Sequence, residues 1–118
     1  MSALLSPDSL LPLPPAAFHI LLSLADGDRH GYAIIQDVAA RTGGEVTLGA
    51  GTLYRSIQRM LEQDLIEEVD APPSDSADER RRYYRVTRFG RSVARAEAER
   101  LAGLVRLARA SGLIAGKA

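Results

Sequence analysis

The chain has 118 residues, 46 % apolar and 25 % charged, which suits one globular domain with a modest core and excludes a fibrous or low-complexity protein. It has no cysteine, so disulfides and thiolate metal sites are excluded, and a reducing compartment is compatible. Fifteen basic and fifteen acidic residues cancel, but residues 1–70 hold four Arg against ten acids, whereas residues 71–118 hold ten Arg and one Lys against five acids. The two stretches carry −6 and +6, and a local field of that kind matters more for a polyanionic partner than the sum does.

Residues 1–11 show no firm periodicity and read as a mobile N-terminal arm. The most apolar run, residues 10–25, is broken by Pro12, Pro14, Pro15 and His19 and is too short to span a bilayer. No Lys or Arg precedes Arg29, so the start lacks the basic region of a secretory leader. A cytoplasmic protein without a membrane partner is expected. Pro14-Pro15 suits the first turn of a helix, where the missing N–H costs nothing. Residues 16–25 are apolar nearly all round, so that helix should be buried on most sides. His19 within it reads as a packed or partly exposed histidine and not a ligand, because no second metal ligand lies near in sequence.

Asp26-Gly27-Asp28 is turn chemistry. A second helix, His30 to Arg41, turns Ile34, Ile35, Val38 and Ala39 inward and ends at Thr42-Gly43-Gly44, glycine supplying the left-handed cap. Glu45 to Leu48 is too short for more than a turn or one bridge of strand.

A third helix, about Gly49 to Gln63, places Leu53, Ile57, Met60 and Leu61 on one stripe. Thr52, Arg55, Ser56 and Arg59 gather on the other side. Hydroxyl and guanidinium groups hydrogen-bond base edges and phosphates, and they sit toward the helix N-terminus, where a recognition helix meets bases. An amphipathic helix alone is equally a surface helix facing water. The residues after it shift the balance: a short strand at 67–70, a Pro/Ser/Asp-rich loop at 71–78, and a strand at 82–86 that starts beside Arg80, Arg81 and Arg82. Alternation sends Tyr84 and Val86 to one face and Tyr83 and Arg85 to the other; the first face is assigned to the core and Tyr83 to contact with a partner. A helix leading into an Arg-tipped hairpin is the outline of a winged helix.

Thr87 is a suitable N-cap for the last helix, which runs to about Ser111, on the order of 36 Å. Val93, Ala94, Ala98, Leu101, Leu104, Val105 and Ala108 share one side of it; Arg91, Arg95, Glu99, Arg106 and Arg109 share another. A small three-helix body cannot cover the whole apolar side, which points to a closed two-fold homodimer through those seven residues; the alternative is that the helix folds back on its own domain.

Taken together, Phe18-His-Ile-Leu-Leu22, His30-Gly31-Tyr32, Gly51-Thr-Leu-Tyr54, Arg59-Met-Leu-Glu62 with Leu65-Ile66, and Arg82-Tyr-Tyr-Arg-Val-Thr87 with Gly90-Arg91 resemble the PadR family of winged-helix regulators. The short tail is similar to the subgroup with a single C-terminal helix. The resemblance implies a mainly α fold with a small β-hairpin: an arm at 1–11, a winged helix-turn-helix at 12–87, and a dimerisation helix and tail at 88–118. It also implies a homodimeric transcriptional regulator, usually a repressor, on double-stranded DNA. Tyr32, Thr52, Tyr54, Arg55 and Arg59 would meet the major groove and its phosphates, and Arg80, Arg81 and Arg82 would reach the flanking backbone or minor groove from the wing. Two departures stand out: Arg55 occupies the place where many members have Pro, and Asp64 the place of the usual Gly. There is no Trp, so an aromatic sandwich for flat drugs cannot be built from one.

Sequence preference is expected from Arg55, Ser56 and Arg59, and sequence-independent affinity from the Arg-rich wing. A small hydrophobic or aromatic effector is expected between the long helix and the first helices of the partner copy, where the apolar sides of Phe18, Leu22 and Leu101 would converge. No cofactor or metal is expected. An enzyme is disfavoured, because the two His have no nucleophile partner and Gly44 to Gly51 lacks the Lys-Ser/Thr ending of a phosphate loop. The remaining alternative is a winged-helix module that docks other proteins, which a net charge of zero would suit.

Overall fold

In the computed structural model, residues 6–73 and 81–115 are described. Seven regular elements come after a short 3₁₀ turn at Pro7–Leu10: α1 (Pro15–Leu24), β1 (Arg29–His30), α2 (Gly31–Arg41), α3 (Ala50–Glu62), β2 (Ile66–Val69), β3 (Tyr83–Val86) and α4 (Arg88–Ala110). The strands make an antiparallel sheet in the order β1-β3-β2, with Arg29 opposite Tyr84 and Ile66 opposite Val86. The fold is mainly helical with a small three-stranded sheet, as a winged helix requires.

One core joins these elements. Ile20, Leu21 and Leu24 of α1 meet Ile34 and Val38 of α2, Leu53, Ile57 and Met60 of α3, and Tyr84 and Val86 of β3. Each such side chain withdrawn from water contributes about 1.5–3 kcal/mol before the entropy of ordering it. α1 is buried on most sides because it lies centrally, against α2, α3, α4 and the sheet.

The end of α3 shows how Asp64 replaces glycine. Asp64 takes a left-handed φ of 62°, its N–H donates to the Leu61 carbonyl (3.2 Å), and the Leu65 N–H donates to the Met60 carbonyl (2.9 Å). This double bond pattern is the glycine-type helix stop, so the turn keeps its geometry without glycine. Asp tolerates the left-handed region better than most residues but at some cost in strain.

Thr87 then fastens three elements. Its hydroxyl accepts the Gly90 N–H (2.9 Å), capping α4, and donates to the Asp64 carbonyl (2.6 Å); its own N–H donates to the Leu65 carbonyl (3.1 Å). A Cβ at Gly90 would overlap the Leu65 carbonyl oxygen, so only glycine lets α4 start this close to the α3–β2 turn.

Four expectations are corrected. Residues 6–11 are no mobile arm: the 3₁₀ turn packs on α4, and Leu10 and Leu11 lie against the core. Residues 1–5 of the expected arm lie outside the described residues. The sheet has a third strand, β1, whose two residues are too few to show alternation. β3 is therefore central, and Tyr83 is buried along with Tyr84, its ring edge-on to His30 at 5.3 Å. Val93, expected at a dimer interface, is fully buried in its own chain, and Ala94 is half-buried against the core.

Candidate nucleic-acid interface

The buried stripe of α3 is Leu53, Ile57 and Met60, which fixes what the helix shows outward. Thr52, Tyr54, Arg55, Gln58, Arg59 and Glu62 are exposed; Ser56 is half-buried at the flank. Gln58 was not among the expected residues, although a helical wheel places it on the outward side with Arg55. Its amide donates to the Glu62 carboxylate (3.2 Å), leaving its carbonyl oxygen and second N–H outward, the pair that reads adenine.

Beside α3 lies an open cleft of about 470 Å³ lined by His30 of β1, Gly31 and Tyr32 at the start of α2, Tyr54 of α3, Tyr84 of β3, and Arg81 and Arg82 of the wing. Tyr32 and Tyr54 stand 62 % and 51 % exposed. Two features hold this corner closed. A Cβ at Gly31 would overlap the Tyr54 hydroxyl, so glycine there leaves the tyrosine room to lie across the start of α2. The His30 Nδ1 accepts the Ala33 N–H (3.1 Å) and caps α2, while its Nε2 lies 3.1 Å from an Arg81 nitrogen. The capping and wall roles of His30 escaped notice because Ser, Thr, Asp and Asn are the usual capping signals, not His.

The charges sort into two sets. Arg29 and Arg41 are engaged with Asp26 and Asp37 at 2.6–3.5 Å, and Arg85 grips Asp28 with both ends of its fork. The Arg41 hydrogen bond holds the Asp26 carboxyl below its usual range. Three acids of the negative stretch are thereby matched by arginines. Arg55 and Arg59, in contrast, make no ion pair among the described residues, and Arg82 has only a distant one with Glu68 (3.9 Å). An exposed guanidinium without a carboxylate keeps its fork for phosphate or guanine.

The residues expected at such a site therefore divide. Tyr32, Tyr54, Arg81 and Arg82 share the cleft, with Thr52, Arg55 and Arg59 exposed on α3 beside it. Ser56 turns half away, Tyr83 is withdrawn into the sheet, and Arg80 lies outside the described residues. Of the apolar side of α4, Ala98, Leu104 and Val105 are exposed and Leu101 and Ala108 half-buried. Leu107 joins them at 64 % exposed, a residue the sequence stripe left out. No group of three or more His, Cys, Asp or Glu able to hold a metal ion occurs among the described residues. None of the described helices is long and apolar enough to cross a membrane.

Residues 20–96 match the family model described as "Transcriptional regulator PadR-like family". An uncharacterized protein X of Lysinibacillus sphaericus is 34 % identical over 73 residues, a match spanning 62 % of this chain and 65 % of that one. Among solved structures, a transcriptional regulator from Clostridium thermocellum superposes with a TM-score of 0.68 at 23 % identity, over 88 % of this chain and 94 % of that one. A PadR family transcription regulator from Clostridium difficile gives 0.69 at 24 %, over 81 % and 96 %. At that identity the two structures speak for the fold alone.

Proposed function

The chain belongs to the PadR-like family of transcriptional regulators, and from that premise we propose that it binds a two-fold-symmetric DNA operator as a homodimer and represses the promoter there. The observation that carries this reading is the pair Arg55 and Arg59, exposed on α3 and without a carboxylate partner among the described residues, while Arg29, Arg41 and Arg85 are all engaged. In the proposal, α3 enters the major groove, Arg55, Gln58 and Arg59 read base edges, and Arg81 and Arg82 hold the backbone. Tyr32, Tyr54 and Thr52 supply hydroxyls for phosphates.

Dimerisation is supported by the far half of α4, where Leu104, Val105 and Leu107 are 40–64 % exposed. An apolar helix side left in water is most simply covered by its own copy. Two α3 helices so joined would enter major grooves about 34 Å apart, one turn of the duplex. In the same reading, a small hydrophobic effector sits in the dimer between α4 and the first helices of the other copy, toward which Leu22, 39 % exposed, and half-buried Phe18 and Leu101 would turn.

Selection of bound sequences from random duplexes is the decisive experiment. Enrichment of inverted repeats with centres one turn apart is expected; no enrichment at any salt concentration would refute operator reading and favour a protein-docking role. In mobility shifts, Arg59→Ala should lose about 1–3 kcal/mol of discrimination between operator and random DNA. Arg81→Ala should weaken both alike and flatten the salt dependence. Equal loss of preference in both variants would overturn this division between helix and wing.

A further inference from the structure

A second cleft opens on the other flank of α3, apart from the effector position at α4. Its volume is about 350 Å³, at the lower end of the range in which proteins hold small molecules. The residues from Ser9 to Pro14 form one wall, Ala17 of α1 the floor, and Ser56, Arg59, Met60 and Gln63 of α3 the other wall. The lining is mixed: hydrocarbon from Leu10, Leu11 and the prolines beside them, and polar groups from Ser9, Ser56 and Gln63.

Arg59 is the only charged side chain among these lining residues, and it has no hydrogen bond or ion pair among the described residues. The nearby acids already have partners, and Glu97 also accepts from the Leu13 backbone behind the wall. Glu62 accepts from Gln58, and Glu97 is gripped by both ends of the Arg100 fork. A slot walled partly by hydrocarbon, with one unmatched forked cation, selects an amphipathic anion: the guanidinium takes a carboxylate through two parallel N–H···O bonds, and the hydrocarbon part leaves water against Leu10 and Leu11. An ammonium head would meet repulsion, and a neutral head would forgo the charge-assisted pair.

We propose that this cleft binds a small monocarboxylate with a compact hydrocarbon body, and that its occupant draws Arg59 away from DNA. The coupling rests on the DNA reading above; the binding site does not. By linkage, the carboxylate and DNA must weaken each other by the same factor.

The test uses the full chain without DNA, observed by two-dimensional NMR during titration with cyclohexanecarboxylate. Cyclohexylmethanol and cyclohexylmethylamine serve as matched probes. Saturable shifts confined to residues 9–17 and 56–63 are expected from the carboxylate alone. Arg59→Gln should lower its affinity at least tenfold. Gln63→Glu, which offers Arg59 an internal carboxylate, should lower it several-fold. Thermal unfolding of each variant verifies that the fold is kept. Equal shifts from amine or alcohol, shifts centred on α4, or an Arg59→Gln chain that titrates like the parent would overturn the site. With the selected operator present, the carboxylate should raise the DNA dissociation constant by the factor by which DNA raises its own; an unchanged constant would overturn the coupling. Failure to bind any DNA would instead refute the operator reading, while the carboxylate site would still stand or fall on the NMR titration.

Discussion

α3 and α4 are written in the same pattern, an apolar stripe with an Arg-rich side, yet the molecule treats them differently. The stripe of α3 is covered from end to end, by α1, α2 and the sheet. That of α4 is fully buried only at Gly90, Val93 and Glu97, and its later turns leave Leu101 and Ala108 half-buried and Leu104, Val105 and Leu107 exposed. Amphipathicity states that a helix side must meet something apolar; where the covering comes from depends on how far the rest of the body reaches. α4 is about 34 Å long and outruns it.

The sharpest way to break this comparison is one truncation made in both helices. Leu53→Ala in α3 should cost about 2–5 kcal/mol in urea unfolding, since it opens a cavity in a sealed core. Leu104→Ala should change the stability of the isolated chain by less than about 0.5 kcal/mol, while shifting any monomer–dimer equilibrium seen in sedimentation toward monomer. Similar costs at both positions at high dilution would mean that α4 is covered by its own chain after all. Gly90→Ala comes next: where α4 departs from the α3 turn, the added methyl has a backbone oxygen in its way, and a loss of about 1–3 kcal/mol is expected from the same measurement.

A smaller effect is expected at Glu97, on the boundary between the covered and open parts of α4. The Arg100 fork at 2.8–2.9 Å holds its carboxyl below the ordinary glutamate range, with burial opposing and the Leu13 backbone assisting. A carboxyl with a lowered folded pKa stabilises fully above its unfolded pKa and loses that contribution as pH falls through the folded one. Stability should therefore decline below about pH 4.5 more steeply in the parent than in Glu97→Gln, as acid titration monitored by circular dichroism would record. The smallest change is expected at the end of α3: Asp64→Gly should gain less than about 1 kcal/mol by releasing a left-handed residue from strain. A loss there would show that the Asp64 side chain has a role beyond the turn.

Most of the fold was legible in the sequence because helix signals here are local. Pro14-Pro15, Thr42-Gly43-Gly44 and Thr87 marked boundaries to within a residue or two, and the wing could be read from turn chemistry between two short strands. What escaped was decided by tertiary neighbours. β1 is two residues long and exists only because β3 has an open edge beside it. That pairing buries Tyr83, which alternation alone had turned outward. Val93 could not be told from Leu104 by periodicity, since both lie on one stripe and only the reach of the body separates them. Gln58 was readable from a helical wheel but lay outside a reading fixed on arginine. The carboxylate cleft at Arg59 had no sequence signal, because half of its wall is a stretch that looked unstructured.

The hydroxyl of Thr87 has one more implication. By tying the exit of α3 to the entrance of α4, it leaves little slack between the two rods. Whatever α4 docks against therefore inherits the heading of α3, like the arms of a caliper locked at one opening. Such a gauge would measure the gap between half-sites as strictly as it reads their letters: adding one base pair turns the far site by about 34° around the duplex axis, a rotation that a riveted joint cannot match.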